Sequence, residues 1–154
     1  MNPVFIDANI IFNVWRGESN PSTGENYSPG SKRILKAVSR GTVRGYLLST
    51  TAMEIIHGVR AEAEALKVAN PVFIIKQAES RLAEIGFNIA VPDTVVMSYA
   101  YEILVKLHID PFDAILISAA AKEKAEAVIS RDKKLKKKAS RIIPVLTPEE
   151  FFPH

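Results

Sequence analysis

The chain has 154 residues, of which 47% are apolar and 24% charged; this is typical of a folded globular protein and excludes a disordered chain. It has no cysteine, so a disulfide framework, thiolate metal ligands and a cysteine nucleophile are excluded. The formal net charge is +3, but residues 131–141 hold seven Lys or Arg and one Asp, a local charge of +6 that leaves −3 for the remainder.

The N-terminal apolar run does not have the pattern of a secretory signal, because it lacks a basic start and is interrupted by Asp7. Nowhere does an apolar run approach the roughly 18 residues that a membrane-spanning helix needs. We therefore expect a single domain over residues 1–154, working in a reducing, cytoplasmic environment without membrane contact.

Short apolar runs alternate along the chain with longer stretches whose apolar residues recur at helical spacing. In chain order they predict a strand at Pro3–Ile6, a helix at Ala8–Trp15, a loop at Arg16–Gly30, a helix at Ser31–Arg40, a strand at Tyr46–Leu48, a helix from Ser49, a helix at Pro71–Ile85, a strand at Phe87–Val91, a helix at Pro92–His108, a helix at Pro111–Lys122 capped by Asp110, a strand at Ala127–Ile129, a helix at Lys133–Ala139, a strand at Arg141–Val145 and a helix at Thr147–Phe152. This alternation predicts an α/β fold of three layers, with a central parallel sheet of about five strands and helices on both faces.

Four acidic residues follow the predicted strands. Asp7 ends the first strand, Glu54 lies within two turns after the second, and Asp132 follows the fourth. Asp113 lies in the first turn of the helix that leads into that fourth strand. Because parallel strands end at the same edge of a sheet, we expect all four carboxylates near one edge, where ligands bind in such folds.

Each of these acids also has a purely local explanation. Asp7 and Asp132 could cap the helices that follow them, and Thr51 with Glu54 matches a capping box. Asp113 would be favoured in a first helical turn by the helix dipole. Four such residues at one edge are harder to explain by capping alone.

A cluster of carboxylates needs a counter-ion. Two unit charges about 4 Å apart repel by roughly 1–4 kcal/mol, so four acids would raise one another's pKa unless a cation joined them. An all-oxygen site of this kind suits Mg²⁺ or Mn²⁺ and serves phosphoryl chemistry. The lysine run, at Lys133, Lys134, Lys136, Lys137 and Lys138, could guide RNA to this site or could simply be a solvated helix face.

The sequence resembles PIN-domain ribonucleases over nearly its whole length, and is most similar to the toxins of VapBC-type toxin–antitoxin pairs. Four motifs in the same order and spacing carry the resemblance: Phe5-Ile6-Asp7-Ala8-Asn9, Thr50–Ile56 with Glu54, Asp110-Pro111-Phe112-Asp113-Ala114, and Ile129-Ser130-Arg131-Asp132-Lys133-Lys134-Leu135. The long polar loop and the dense lysine run depart from the commonest pattern of the family.

The resemblance implies an Mg²⁺- or Mn²⁺-dependent endoribonuclease that leaves a 5′-phosphate. It places the four catalytic, metal-binding acids on Asp7, Glu54, Asp113 and Asp132. It places a supporting hydroxyl on Ser130 and a bracing amide on Asn9. It also implies a homodimer, and an antitoxin partner whose tail covers the active site.

Other functions fit less well. A phosphatase with an aspartyl nucleophile needs a second acid two residues after the first, and that position is Asn9. A receiver-type signalling domain needs paired acids at the first strand. Two alternatives stay open: a PIN nuclease of RNA processing that has no antitoxin, and a PIN-like module that binds RNA or a partner without cutting.

Overall fold

The computed structural model describes residues 1–153, so His154, the last residue of the predicted domain, lies outside the described part. Thirteen helices and strands follow one another in the order β1 (Pro3–Ile6), α1 (Ala8–Arg16), α2 (Ser28–Ser39), β2 (Arg44–Leu48), α3 (Ser49–Ala65), α4 (Pro71–Ile85), β3 (Asn88–Ala90), α5 (Thr94–Leu107), α6 (Pro111–Lys122), β4 (Ala127–Ile129), α7 (Lys133–Ala139), β5 (Val145–Leu146) and α8 (Pro148–Phe151).

The five strands form one fully parallel sheet in the order β3-β2-β1-β4-β5. Successive side chains of a strand point to opposite faces, and both faces of this sheet are covered. Phe5 therefore packs into one apolar cluster, with α5, α6 and α7, while Val4 and Ile6 pack into another, with α1, α2 and α3. This confirms the three-layer α/β/α architecture that the sequence predicts.

The second helix starts earlier than predicted. It spans Ser28–Ser39 instead of Ser31–Arg40, because Pro29 occupies a first-turn position, where a proline loses no hydrogen bond. The predicted loop at Arg16–Gly30 is correspondingly shorter. It folds back on itself through an antiparallel bridge between Ser19 and Asn26.

The last strand lies further along the chain than predicted. The sequence predicts it at Arg141–Val145, but residues 141–143 form a turn and the strand is Val145–Leu146. The Ile142 and Ile143 N–H groups both donate to the Ala139 carbonyl, which extends the end of α7. Ile143 is buried in the core, so its apolar character reflects packing of a turn and not a strand.

None of the helices in residues 1–153 combines the length and the apolar character that crossing a bilayer requires.

Candidate active site

The register of the sheet brings the first and fourth strands side by side. Ile6 pairs with Ile129, so the residues that follow them, Asp7 and Ser130, leave the sheet at the same edge. This β1–β4 neighbourhood is where the direction of strand order reverses, and ligands bind at such switch points. This is the edge of the sheet at which the sequence predicts the four carboxylates.

Asp7 is buried and is held by three donors. Its Oδ1 accepts from the Ala8 N–H (2.8 Å), while its Oδ2 accepts from the Ser130 hydroxyl (2.7 Å) and from the Asn9 amide (3.2 Å). The Asn9 amide also donates to Ser130 Oγ (3.1 Å), and the Asp132 N–H donates to the same oxygen (3.1 Å). Asn9 and Ser130 thus lie beside Asp7, in the supporting positions that the sequence predicts.

The other acids have both a local and a shared role. Asp132 caps α7 by accepting from two backbone N–H groups, and Asp110 caps α6 by accepting from the Phe112 N–H. Thr51 and Glu54 do not form the capping box that was the local alternative for Glu54: α3 begins at Ser49, as the sequence predicts, with Leu48 as its N-cap, so Glu54 lies in the second turn. Glu54 is therefore free of any capping task.

The carboxylates of four separate segments act on one another electrostatically. Burial raises the pKa of Glu54 to about 7, with further contributions from the charges of Asp7 and Asp110. Burial likewise raises the pKa of Asp113 to about 7, with contributions from Asp7, Asp110, Asp132 and Glu54. Burial also raises the pKa of Asp7, against the lowering effect of its hydrogen bond from Ser130. The four predicted acids, with Asp110, form one charged neighbourhood.

These pKa shifts predict how the metal-free protein responds to pH. Glu54 and Asp113 hold protons more tightly folded than unfolded, so their contribution to stability is complete below about pH 4. It is lost as the pH rises through the folded-state pKa of about 7. We expect the thermal midpoint in EDTA to fall between pH 5 and pH 8. A Glu54→Gln/Asp113→Asn double variant should show a flatter profile, and an equally steep one would contradict this assignment.

The donor set fits a hard divalent cation. All candidate ligands are carboxylate oxygens, which suit Mg²⁺ or Mn²⁺, and a cation would relieve the repulsion that raises their pKa. One turn before Glu54, the buried Thr50 hydroxyl has no hydrogen-bond partner in residues 1–153. Within these residues no three Asp, Glu or His side chains are close enough together to hold an ion as they stand.

A small polar cavity of about 240 Å³ opens beside these acids. It is lined by acidic and basic side chains and by two apolar ones: Asp110, Asp113, Asp132, Lys134, Lys138, His108, Ile109 and Leu135. The cavity therefore brings acidic and basic side chains together beside Asp113 and Asp132.

The five predicted RNA-binding lysines are not equivalent. Lys136 pairs with Glu150, and Lys138 donates to the His108 carbonyl (2.8 Å). Lys133, Lys134 and Lys137 form no salt bridge within the described residues, so they offer the free charges of α7.

Two contributions to the site escaped the sequence analysis. Asp110, predicted only as a cap, also adds its charge to the acidic neighbourhood, and its position three residues before Asp113 was the available signal. Arg131, which looked like one more cation of the basic run, is buried and paired with Glu149. The predicted +6 patch is weaker by that charge.

The chain was then compared with known proteins. A family model described as "PIN domain" matches residues 4–140. No match was found among curated proteins. Several solved structures share its fold at low sequence identity.

FitAcB from Neisseria gonorrhoeae is 21% identical, with a TM-score of 0.68, covering 94% of this chain and 97% of that one. A toxin–antitoxin complex from Klebsiella pneumoniae is 20% identical, with a TM-score of 0.63, covering 96% and 98%. DNA-bound VapBC from Salmonella typhimurium is 16% identical, with a TM-score of 0.68, covering 96% and 99%. The family match spans most of the chain and agrees with the fold and with the edge where the acids meet, and the chain therefore belongs to the PIN domain family.

Proposed function

We propose that this protein is an endoribonuclease that depends on Mg²⁺ or Mn²⁺, and that residues 1–154 form one nuclease domain. The observation that carries the proposal is geometric: Asp7 lies beside Ser130 where β1 and β4 end, and Asp113 and Asp132 line one cavity. The raised pKa values of Asp7, Glu54 and Asp113, due first to burial and then to neighbouring acids, agree with this arrangement. Such a concentration of negative charge, half buried at a switch point of the sheet, is costly unless a cation compensates it.

In this proposal Asp7, Glu54 and Asp113 hold the ion, and Asp132 orients the attacking water or holds a second ion. A divalent cation in such a site stabilises charge on a phosphate and activates water. The Asn9 and Ser130 side chains fix the orientation of the Asp7 carboxylate through their hydrogen bonds. Attack of water on phosphorus with loss of the 3′-oxygen would leave a 5′-phosphate.

The direct test is cleavage of a single-stranded RNA by the purified protein. We expect cutting with Mg²⁺ or Mn²⁺ and none with EDTA, with 5′-phosphate ends on the products. RNA that binds but stays intact under every metal condition would instead support a non-catalytic binding module.

The free lysines of α7 give a second expectation about RNA. For single strands, the slope of log K against log salt changes by about 0.7 for each phosphate contact. Lys134→Ala should therefore flatten the slope by about 0.7, whereas Lys136→Ala, whose ammonium is already paired with Glu150, should change it less. Filter binding between low and high salt measures the slope of each variant. If both variants have the same slope as the wild type, α7 is a solvated surface that does not contact RNA.

We further propose that the nuclease is the toxin of a toxin–antitoxin pair, acting as a homodimer. One structure of similar fold is a toxin–antitoxin complex from Klebsiella pneumoniae, and another is DNA-bound VapBC from Salmonella typhimurium, the type of pair that the sequence resembles. An apolar groove of about 660 Å³ between α3 and α4, lined by Met53, Ile56, Leu82 and Phe87, suits an apolar partner segment. A short reading frame beside the gene, encoding a DNA-binding start and a basic or aromatic tail, would support the pair, and its absence would favour an RNA-processing nuclease.

A further inference from the structure

The Arg131 side chain is almost fully bonded inside the protein. Its Nη1 and Nη2 donate to the two carboxylate oxygens of Glu149, both at 2.8 Å, in a bidentate pair. Its Nε donates to Asn13 Oδ1 (2.8 Å), and Nη2 also donates to the Tyr27 carbonyl (3.0 Å). The guanidinium carbon lies 4.3 Å from the centre of the Tyr27 ring, and only 8% of the side chain is exposed.

These contacts join parts of the chain that are far apart in sequence. Asn13 belongs to α1, Tyr27 ends the polar loop that follows it, and Glu149 belongs to α8. A Cβ at Gly30 would overlap the Glu149 carboxylate, so α2 passes directly against the pair. The Tyr27 ring lies against the Arg131 guanidinium.

The backbone of the same arginine belongs to the acidic site. The Arg131 N–H donates to Asn9 Oδ1 (3.3 Å), and the residues on either side are Ser130, which bonds Asp7, and Asp132. The Ser130 N–H donates to the Leu146 carbonyl (2.9 Å) in β5, immediately before α8. The segment 130–132 is therefore held on its site side by Asn9 and on its far side by Glu149.

We propose that Arg131 and Glu149 are positioning residues: the pair anchors segment 130–132 to α8 and so aims the Asp132 carboxylate at the reaction. Arg131 itself points away from the acids, into the network with Asn13 and Tyr27. The inference rests on the proposed nuclease function for its kinetic consequence. Its structural part, the anchoring of 130–132 by α8, does not need that function.

Glu149→Gln is the appropriate variant, because it keeps the shape of the side chain and removes the charged partner. Loss of a residue that orients a site group typically costs 10–100-fold, so we expect kcat for RNA cleavage to fall about tenfold. The KM for RNA should stay within about twofold, because the lysines that attract RNA are unchanged. Glu64→Gln, which breaks an exposed Arg60–Glu64 pair on α3, is the matched control and should leave kcat unchanged.

Amide hydrogen exchange supplies a readout that is independent of activity. In Glu149→Gln, exchange at the amides of Ser130, Arg131 and Asp132 should accelerate about tenfold or more, with little change in the strands β1 and β2. A uniform acceleration over the whole chain would mean that Glu149 contributes only global stability, and would overturn the proposal.

A double-variant comparison identifies the residue through which the pair acts. Asp132→Asn keeps the cap of α7, since Asn caps as well as Asp. Adding Glu149→Gln to it should lower kcat by less than about twofold further, because the group being aimed is already gone. A full additional tenfold loss, or an unchanged kcat in Glu149→Gln alone, would overturn the inference.

If the wild-type protein cuts no RNA, the proposed function fails and the exchange experiment decides the anchoring alone. Faster exchange confined to residues 130–132 then supports it, and unchanged exchange contradicts it.

Discussion

Replacing Asp113 by Asn is expected to remove RNA cleavage while making the metal-free protein more stable. Asp113 is half buried, its pKa is raised to about 7, and no hydrogen bond holds its carboxylate in the described structure. Ionisation of this carboxylate therefore lowers the stability of the fold unless a bound cation compensates the charge. Loss of one electrostatic group in a catalytic site commonly costs 10²–10³ in rate, and we expect at least about that much here.

The stability gain has a defined pH dependence. At pH 8 the wild-type carboxylate is ionised and Asp113→Asn should raise the thermal midpoint in EDTA. The gain should shrink as the pH falls below about 7, and it should vanish below the ordinary pKa of 3.8, where the carboxylate is protonated in both the folded and the unfolded protein. Asp93→Asn is the matched control, because Asn preserves the cap of α5 and the residue is exposed and outside the acidic neighbourhood. It should cleave RNA within a few fold of the wild type. An Asp113→Asn variant that is fully active would remove Asp113 from the site.

Replacing Arg131 by Ala should give the largest loss of stability among the polar residues discussed. The substitution leaves Glu149 and the Tyr27 carbonyl without their donors, and it empties the space over the Tyr27 ring. Breaking a buried ion pair costs about 3–5 kcal/mol, and because the Glu149 side chain is 37% exposed we expect a value near 3 kcal/mol.

Urea unfolding followed by circular dichroism measures this loss, provided that the slope of the transition is the same in both proteins. Arg60→Ala is a suitable control, since its pair with Glu64 is long (3.7 Å) and both side chains are exposed. It should cost about 0.5 kcal/mol or less. Equal losses in the two variants would show that the buried network around Arg131 contributes nothing specific.

The sequence was sufficient to predict the sheet edge that carries the acids. Asp7 and Asp132 each follow a short, wholly apolar run, and a run of that kind indicates a parallel strand covered on both faces. Parallel strands end at one edge, so the neighbourhood of Asp7, Asp113 and Asp132 follows from topology without any side-chain geometry. The structure confirms the topology. The raised pKa of Asp113, to which the neighbouring acids contribute, agrees with acids that lie close together.

The last strand and the start of α2 were predicted at the wrong residues, because the local sequence pattern there disagrees with the tertiary packing. Ile142 and Ile143 are apolar because they belong to a turn that packs against the core. The spacing of apolar residues alone does not distinguish such a turn from a short strand. Pro29 and Gly30 are typical of a loop, yet they lie in the first turn of α2, where Gly30 makes room for Glu149.

The buried role of Arg131 was beyond local reasoning altogether. Within the basic run it has the same appearance as the exposed lysines that follow it. Its burial depends on Glu149, 18 residues later, and on Tyr27, 104 residues earlier. Only the folded arrangement of α1, α8 and the polar loop brings these partners together.

We propose that acids from three separate segments, Asp7, Glu54 and Asp113, share one divalent cation. Crystals grown with Mn²⁺ and measured at a wavelength where manganese scatters anomalously would locate that ion directly. We predict a strong anomalous peak between the carboxylates of Asp7 and Asp113, with Glu54 close by and no such peak in Asp113→Asn. Saturating Mn²⁺ with no peak among these carboxylates, or with peaks only on the outer surface, would contradict it.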